Sequence, residues 1–186
     1  MTSRVSSEGL LVGARFRASP NHNERPPGER IDLLVVHGIS LPPGRFGGNA
    51  IEALFTNTLD VNAHPSFGEL AGLRVSAHLV IRRNGQVIQF VPFTERAWHA
   101  GVSAFEGREG CNDFSIGIEL EGTDHIPYTK AQYRRLIGVA RALMVAYPDI
   151  TPARIVGHEH IAPGRKTDPG PAFDWARFKA GLSDDA

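Results

Sequence analysis

The sequence predicts a single α/β domain, on three observations. Residues 31–36 form an almost wholly apolar run rich in Val, Leu and Ile, suited to a central strand buried on both faces. Residues 114–121 alternate between large apolar and small or polar side chains, the period of a strand. Further on, Tyr133, Leu136, Ile137, Ala140, Leu143, Met144 and Tyr147 keep helical spacing. With 186 residues, 41% hydrophobic and 22% charged, the chain is long enough for one ordinary core, and the domain is expected to occupy 1–186.

Residues 1–30 are expected to be a loop-rich segment packed on that domain. Within it, 17–30 is rich in Pro, Asn, Arg and Glu without a period, reads as a surface wrap and needs no function. The 31–36 strand ends in His37, followed by Gly38. Residues 41–48 are a loop by composition that could border a site at His37, and Asn49 is placed to cap a short helix carrying Ile51, Leu54 and Phe55. Runs 77–83 and 86–91, separated by Asn84-Gly85, predict a type I′ hairpin. In 114–121, Phe114, Ile116, Ile118 and Leu120 should share one face, with Ser115, Gly117, Glu119 and Glu121 on the other. Thr129 and Gln132 make a capping box, Tyr128 and Tyr133 a hydrophobic staple, and Pro148 a stop signal for the long helix. Residues 154–157 read as a short strand delivering His158, and Pro171 as the start of a last helix carrying Trp175, Phe178 and Leu182.

Twenty basic and twenty acidic residues give a formal net charge of zero, which argues against nucleic acid or an anionic membrane surface as partner. A single cysteine, Cys111, excludes every structural zinc site built from several thiolates and every intramolecular disulfide, in agreement with a reducing compartment. The first ten residues lack the apolar core of a secretory signal and no run is long enough to span a bilayer, so a cytoplasmic protein is the simplest expectation.

The segment 157–170 concentrates His158, His160, Lys166 and Asp168 in one turn-rich stretch. Two histidines and one aspartate from separate segments would give a metal three protein ligands and leave a fourth position open, the catalytic arrangement. His160 is a rival ligand, since on a strand it would face the same way as His158. His78 reads as a packing histidine inside a strand. Trp98, with His99, could line a groove, where its indole would offer sugar or peptide a flat apolar surface; core packing is the competing reading of Trp98. Arg74 and Arg108 could meet the carboxylates of a ligand, as guanidinium pairs with carboxylate bidentately.

Taken in order, Val35-Val36-His37, Ser76-Ala77-His78, Trp98-His99-Ala100-Gly101, residues 111–119 and Lys166-Thr167-Asp168-Pro169-Gly170-Pro171 closely resemble the zinc-dependent N-acetylmuramyl-L-alanine amidases, from about residue 9 to 180. Within them the chain is most similar to the cytosolic AmpD branch. The resemblance implies a mixed central sheet flanked by helices, with zinc held in a groove by His37, His158 and Asp168. It makes Glu119 the proton acceptor and Lys166 the stabiliser of the transition state, and leaves His160 out of the ligand set. It also implies a soluble 1,6-anhydro-N-acetylmuramyl-peptide substrate, cut between the lactyl group and L-alanine during recycling of cell-wall fragments, and the protein is expected to be a monomer. Two departures stand out. The pattern of that branch has asparagine after the first ligand and often a larger polar residue before Cys111, where this chain has Gly38 and Gly110; these bear on substrate contacts rather than on the metal. The competing expectations are an exported or lytic amidase acting on intact murein, and a recognition module of the same fold that binds murein without cutting it.

Overall fold

The structure, a computed structural model, describes residues 3–183. In chain order its elements are β1 (Arg15–Phe16), β2 (His22–Asn23), β3 (Leu33–Ile39), α1 (Ala50–Phe55), β4 (Leu79–Ile81), β5 (Val87–Gln89) and β6 (Arg96–Ala97). They continue with β7 (Ala104–Phe105), β8 (Arg108–Glu109), β9 (Ser115–Glu121), α2 (Lys130–Ala146), β10 (Ile155–Gly157), α3 (His158–Ile161) and α4 (Trp175–Ser183). A six-stranded sheet in the order β1-β5-β4-β9-β3-β10 forms the centre. It is mixed: β4 and β5 pair antiparallel, and every other neighbouring pair is parallel.

The side-chain period of two divides the sheet's residues cleanly. Leu34, Val36, Leu79, Ile81, Ile116, Ile118 and Leu120 enter one cluster with Leu136, Val139, Ala140 and Leu143 of α2 and Phe178 of α4. On the opposite face, Leu33 and Val35 pack with Ala100, Cys111 and Ile161, while Val80 and Ile88 pack with Ile51, Leu54 and Phe55 of α1. His37 and Glu119 are direct register partners on adjacent strands and share that second face. The helices of the first cluster thus leave the other side of the sheet's centre open for chemistry.

The capping box on α2 forms as expected: Gln132 N–H donates to Thr129 Oγ1 at 3.1 Å, and Thr129 N–H to Gln132 Oε1 at 3.0 Å. Tyr128 and Tyr133 both pack on Phe173. The hairpin also forms, with a different turn. Gly85 has φ +84° but Asn84 is not in the left-handed region, Gly85 N–H donates to Arg82 O, and Arg82 N–H donates to Gln86 O. This is a three-residue loop with its left-handed position at glycine, not the two-residue type I′ turn, which needs positive φ at both residues.

Four further expectations are corrected. Asn49 sits at the N-cap of α1, but its side chain makes no capping bond. The last helix begins at Trp175 rather than Pro171, because Phe173 is buried among aromatic rings and Tyr133 Oη accepts the Asp174 N–H at 2.6 Å; Asp174 then caps the helix through Arg177 N–H. Phe114 precedes β9 and turns to the face of Leu33 and Val35, away from Ile116 and Ile118. Residues 17–30 are not a mere wrap. β2 pairs with β6, and the half-buried Arg25 side chain donates to the carbonyls of Phe93, Asn112, Asp113 and Ser115. Among the described residues, no helix is long and apolar enough to cross a membrane.

Candidate metal centre

β3 carries His37 to the end of its buried run, where the side chain is 1% exposed. β10, parallel to β3 at the sheet edge, ends at Gly157 and hands His158 to the first position of α3. The chain then turns and returns Asp168 alongside, with Glu159 N–H donating to Asp168 O and Gly38 N–H to Asp168 Oδ2. The three side chains converge: His37 Nδ1 lies 3.0 Å from His158 Nδ1 and 3.3 Å from Asp168 Oδ2, and His158 Nδ1 lies 3.1 Å from Asp168 Oδ1. One ligand atom from each lies within 4.8 Å of the others. Two bonds of about 2.05 Å at a tetrahedral angle hold their donor atoms about 3.3 Å apart, so contacts of 3.0, 3.3 and 3.1 Å match three of the four positions of a zinc site and present the right donors.

Electrostatics favours the ligand forms. Burial lowers the His37 pKa to about 4 against the pull of Asp168, so the ring is neutral near pH 7. Burial alone would raise Asp168, but its hydrogen bonds to His158 and His37 hold the carboxyl well below the usual range. A neutral His37 imidazole and an ionised Asp168 carboxylate are the charge states in which these groups ligate a metal.

Glu119, across from His37, is pushed the other way. Burial raises its pKa well above the carboxylate range, Asp168 raises it further, and the Lys166 ammonium opposes both. Its Oε2 is buried without a hydrogen-bond partner among the described residues. Lys166 itself is exposed, with its backbone tied to Ala162 O.

The other expected residues separate. His160 is not in the cluster: it lies in α3 rather than on a strand, accepts Gly157 N–H through Nδ1 and packs edge-on against Trp175. His78 is fully buried, accepts Gly117 N–H through Nδ1 and donates from Nε2 to Glu95 O, the packing role expected of it. Trp98 is half-buried, and its indole N–H donates to Asn23 Oδ1 at 2.6 Å. Arg74 is exposed and makes no ion pair among the described residues. Arg108 is corrected as a ligand contact. Its guanidinium binds Asp32 at 2.7 Å and Glu29 and lies 3.6 Å over the Phe114 ring, beside the start of β3, whereas His37 is near its end.

Two residues of the site were missed or left open by sequence reasoning. His99 places Nδ1 2.9 Å from His37 Nε2, and its ring fills the slot that Gly117 leaves: a Cβ there would lie 2.4 Å from the imidazole. A glycine inside an otherwise well-formed strand pattern is the signal that could have shown it. Tyr128 reaches in from the head of α2. Its hydroxyl donates to Pro169 O at 3.0 Å, and a Cβ on Gly38 would lie 2.5 Å from that oxygen. The glycine after the first ligand is therefore the room Tyr128 needs.

A family model described as N-acetylmuramoyl-L-alanine amidase matches residues 27–171. The 1,6-anhydro-N-acetylmuramyl-L-alanine amidase AmpD of Escherichia coli (strain K12) is 63% identical over 176 residues, 95% of this chain and 96% of that protein. A crystal structure of a selenomethionine AmpD derivative superposes with TM-score 0.93 at 60% identity, covering 96% of this chain and 99% of the other. AmpDh3 from Pseudomonas aeruginosa, solved in complex with anhydromuramic pentapeptide, superposes with TM-score 0.61 at 30% identity over 84% of this chain and 61% of that one.

Proposed function

Because the chain belongs to the N-acetylmuramoyl-L-alanine amidase family, we propose that it hydrolyses the amide between the lactyl group of 1,6-anhydro-N-acetylmuramic acid and L-alanine. Its substrate is a soluble muropeptide, and its setting is peptidoglycan recycling in the cytoplasm. The observation that carries the reading is the convergence of His37, His158 and Asp168 beside Glu119, whose Oε2 is buried with no hydrogen-bond partner among the described residues.

His37, His158 and Asp168 would hold zinc, which when bound polarises a carbonyl and makes water acidic near neutral pH. Glu119 takes the proton of the attacking water and passes it to the departing amine. A carboxyl raised above its ordinary range by burial suits both halves of that transfer, since a base that is too weak or an acid that is too strong is a poor carrier. Lys166, whose charge is felt at Glu119 and His37, donates to the oxygen that becomes anionic; one such donor is commonly worth about 3 to 4 kcal/mol in comparable sites. Trp98 and Arg74 remain the candidates for the sugar and stem peptide, and the protein acts as a monomer.

Incubation of the purified protein with anhydromuramyl-tripeptide, with intact murein in parallel, tests this by mass spectrometry of the products. Free tripeptide is expected, abolished by a chelator and restored by zinc. Faster cleavage of murein would move the substrate to the intact wall; bound zinc with neither substrate cut would leave a recognition module.

A further inference from the structure

We infer that His99 and Ser115 form a one-way hydrogen-bond relay that holds His37 in the ring tautomer able to ligate a metal, with the Cys111 carbonyl setting its direction. The inference rests on the reading of His37, His158 and Asp168 as zinc ligands. The direction is fixed from the far end. The Ser115 hydroxyl donates to Cys111 O, and a carbonyl oxygen only accepts, so the one hydrogen of that hydroxyl is used there. Ser115 Oγ then offers only lone pairs to His99 Nε2, 3.2 Å away, which makes Nε2 the protonated nitrogen of His99. His99 Nδ1 is left as an acceptor, and its neighbour at 2.9 Å is His37 Nε2, which must carry the hydrogen. The free lone pair of His37 is thereby on Nδ1, the atom turned to His158 and Asp168. Within the relay, reversing any one bond would set two hydrogens against each other or leave two lone pairs facing; the lone pairs that His37 and His158 turn to one another, 3.0 Å apart, are the pair a metal would take up.

The relay is held rigidly. The N–H groups of His99 and Ala100 both donate to Asn112 Oδ1, at 3.0 and 2.8 Å, and the His99 ring sits in the slot at Gly117. The same segment orients the other imidazole in one step, because His158 Nε2 lies 3.2 Å from Ala100 O and can only donate to it. Ser115 and His99 lie behind His37 rather than in the ligand cluster; they are positioning residues.

The test uses full-length protein carrying 15N-labelled histidine, with zinc affinity measured by chelator competition and tautomers read from long-range 1H–15N spectra of the zinc-loaded state. Wild type is expected to show Nε2–H on His37, His99 and His158. His99→Leu should weaken zinc binding by about 10- to 100-fold, the usual loss when an outer-shell partner is removed. His99→Gln, whose amide can accept from His37 and donate to Ser115, should recover most of it. Ser115→Ala should leave His99 in a mixture of tautomers, and as it deletes a single oxygen it keeps the test decisive if His99→Leu fails to fold. A wild-type His99 found as the Nδ1–H form, or variants that all bind zinc as wild type does, would overturn the relay. A wild type that binds no zinc would instead overturn the metal reading itself.

Discussion

Asp168 and Glu119 are two carboxyl groups near one point whose environments drive them apart. The imidazoles of His37 and His158 keep Asp168 anionic, while burial and the Asp168 charge itself keep a proton within reach of Glu119. Separated pKa values of this kind assign different tasks to chemically similar groups. Asp168→Ala is expected to weaken zinc retention by more than the roughly 100-fold ceiling of an outer-shell loss, since a ligand itself is removed; metal analysis after gel filtration checks it. Glu119→Gln should retain zinc and lose about 10²- to 10⁴-fold in kcat with little change in KM. An E119Q enzyme of normal kcat would take the proton-transfer role away from this residue.

At the scale of elements, the head of α2 and the end of β3 meet at Tyr128 and Gly38. Gly38→Ala should force the buried hydroxyl aside and cost about 1 to 3 kcal/mol, the range for overpacking a filled site. Tyr128→Phe should remove most of that cost, so the two effects should be strongly non-additive in urea unfolding; additive losses would show that the contact is soft. Elements written in local pattern were legible in the sequence: the β3 run, the alternation of β9, the two arms of the β4–β5 hairpin and the capping box of α2. What depended on distant partners was not. Asn84-Gly85 has the composition of a type I′ turn, but the pairing of Ile81 with Val87 spaces the arms for a longer loop. Pro171 could start a helix, but Phe173 is drawn into the aromatic cluster first. Of the site, the three ligand candidates stood at the edges of readable strands and in one motif. Arg25 and His99 gain their roles only from carbonyls and rings brought beside them by the fold.

Over the whole molecule, burial of neutral histidines predicts how stability depends on pH. His78 is lowered to about 3 by burial and by the nearby Arg25 charge. Between that value and the ordinary value of about 6.5 the unfolded chain binds a proton that the folded protein refuses, so stability falls as pH drops through this window. The contribution is intact above about pH 6.5, and its slope approaches 1.4 kcal/mol per pH unit for one such group. Urea unfolding of metal-free protein at pH 7 and pH 5 should show the loss, and His78→Asn should reduce the difference; an unchanged difference would assign the acid sensitivity to other groups.

The Arg25 strap has a consequence for the order of assembly. Its bonds join residues 68 to 90 positions apart, and His37 and His158 stand 121 apart. Closing such loops costs chain entropy before any contact repays it, and topologies rich in them condense slowly. The hairpin and α2 can take shape locally, whereas the face that bears the ligands needs both ends of the chain in place. In pulse-labelled amide exchange during refolding, protection at Gly117 and Ser115 is therefore expected after protection in α2, which makes the reactive face the last part of the protein to mature and the first exposed to error in a truncated or stalled chain.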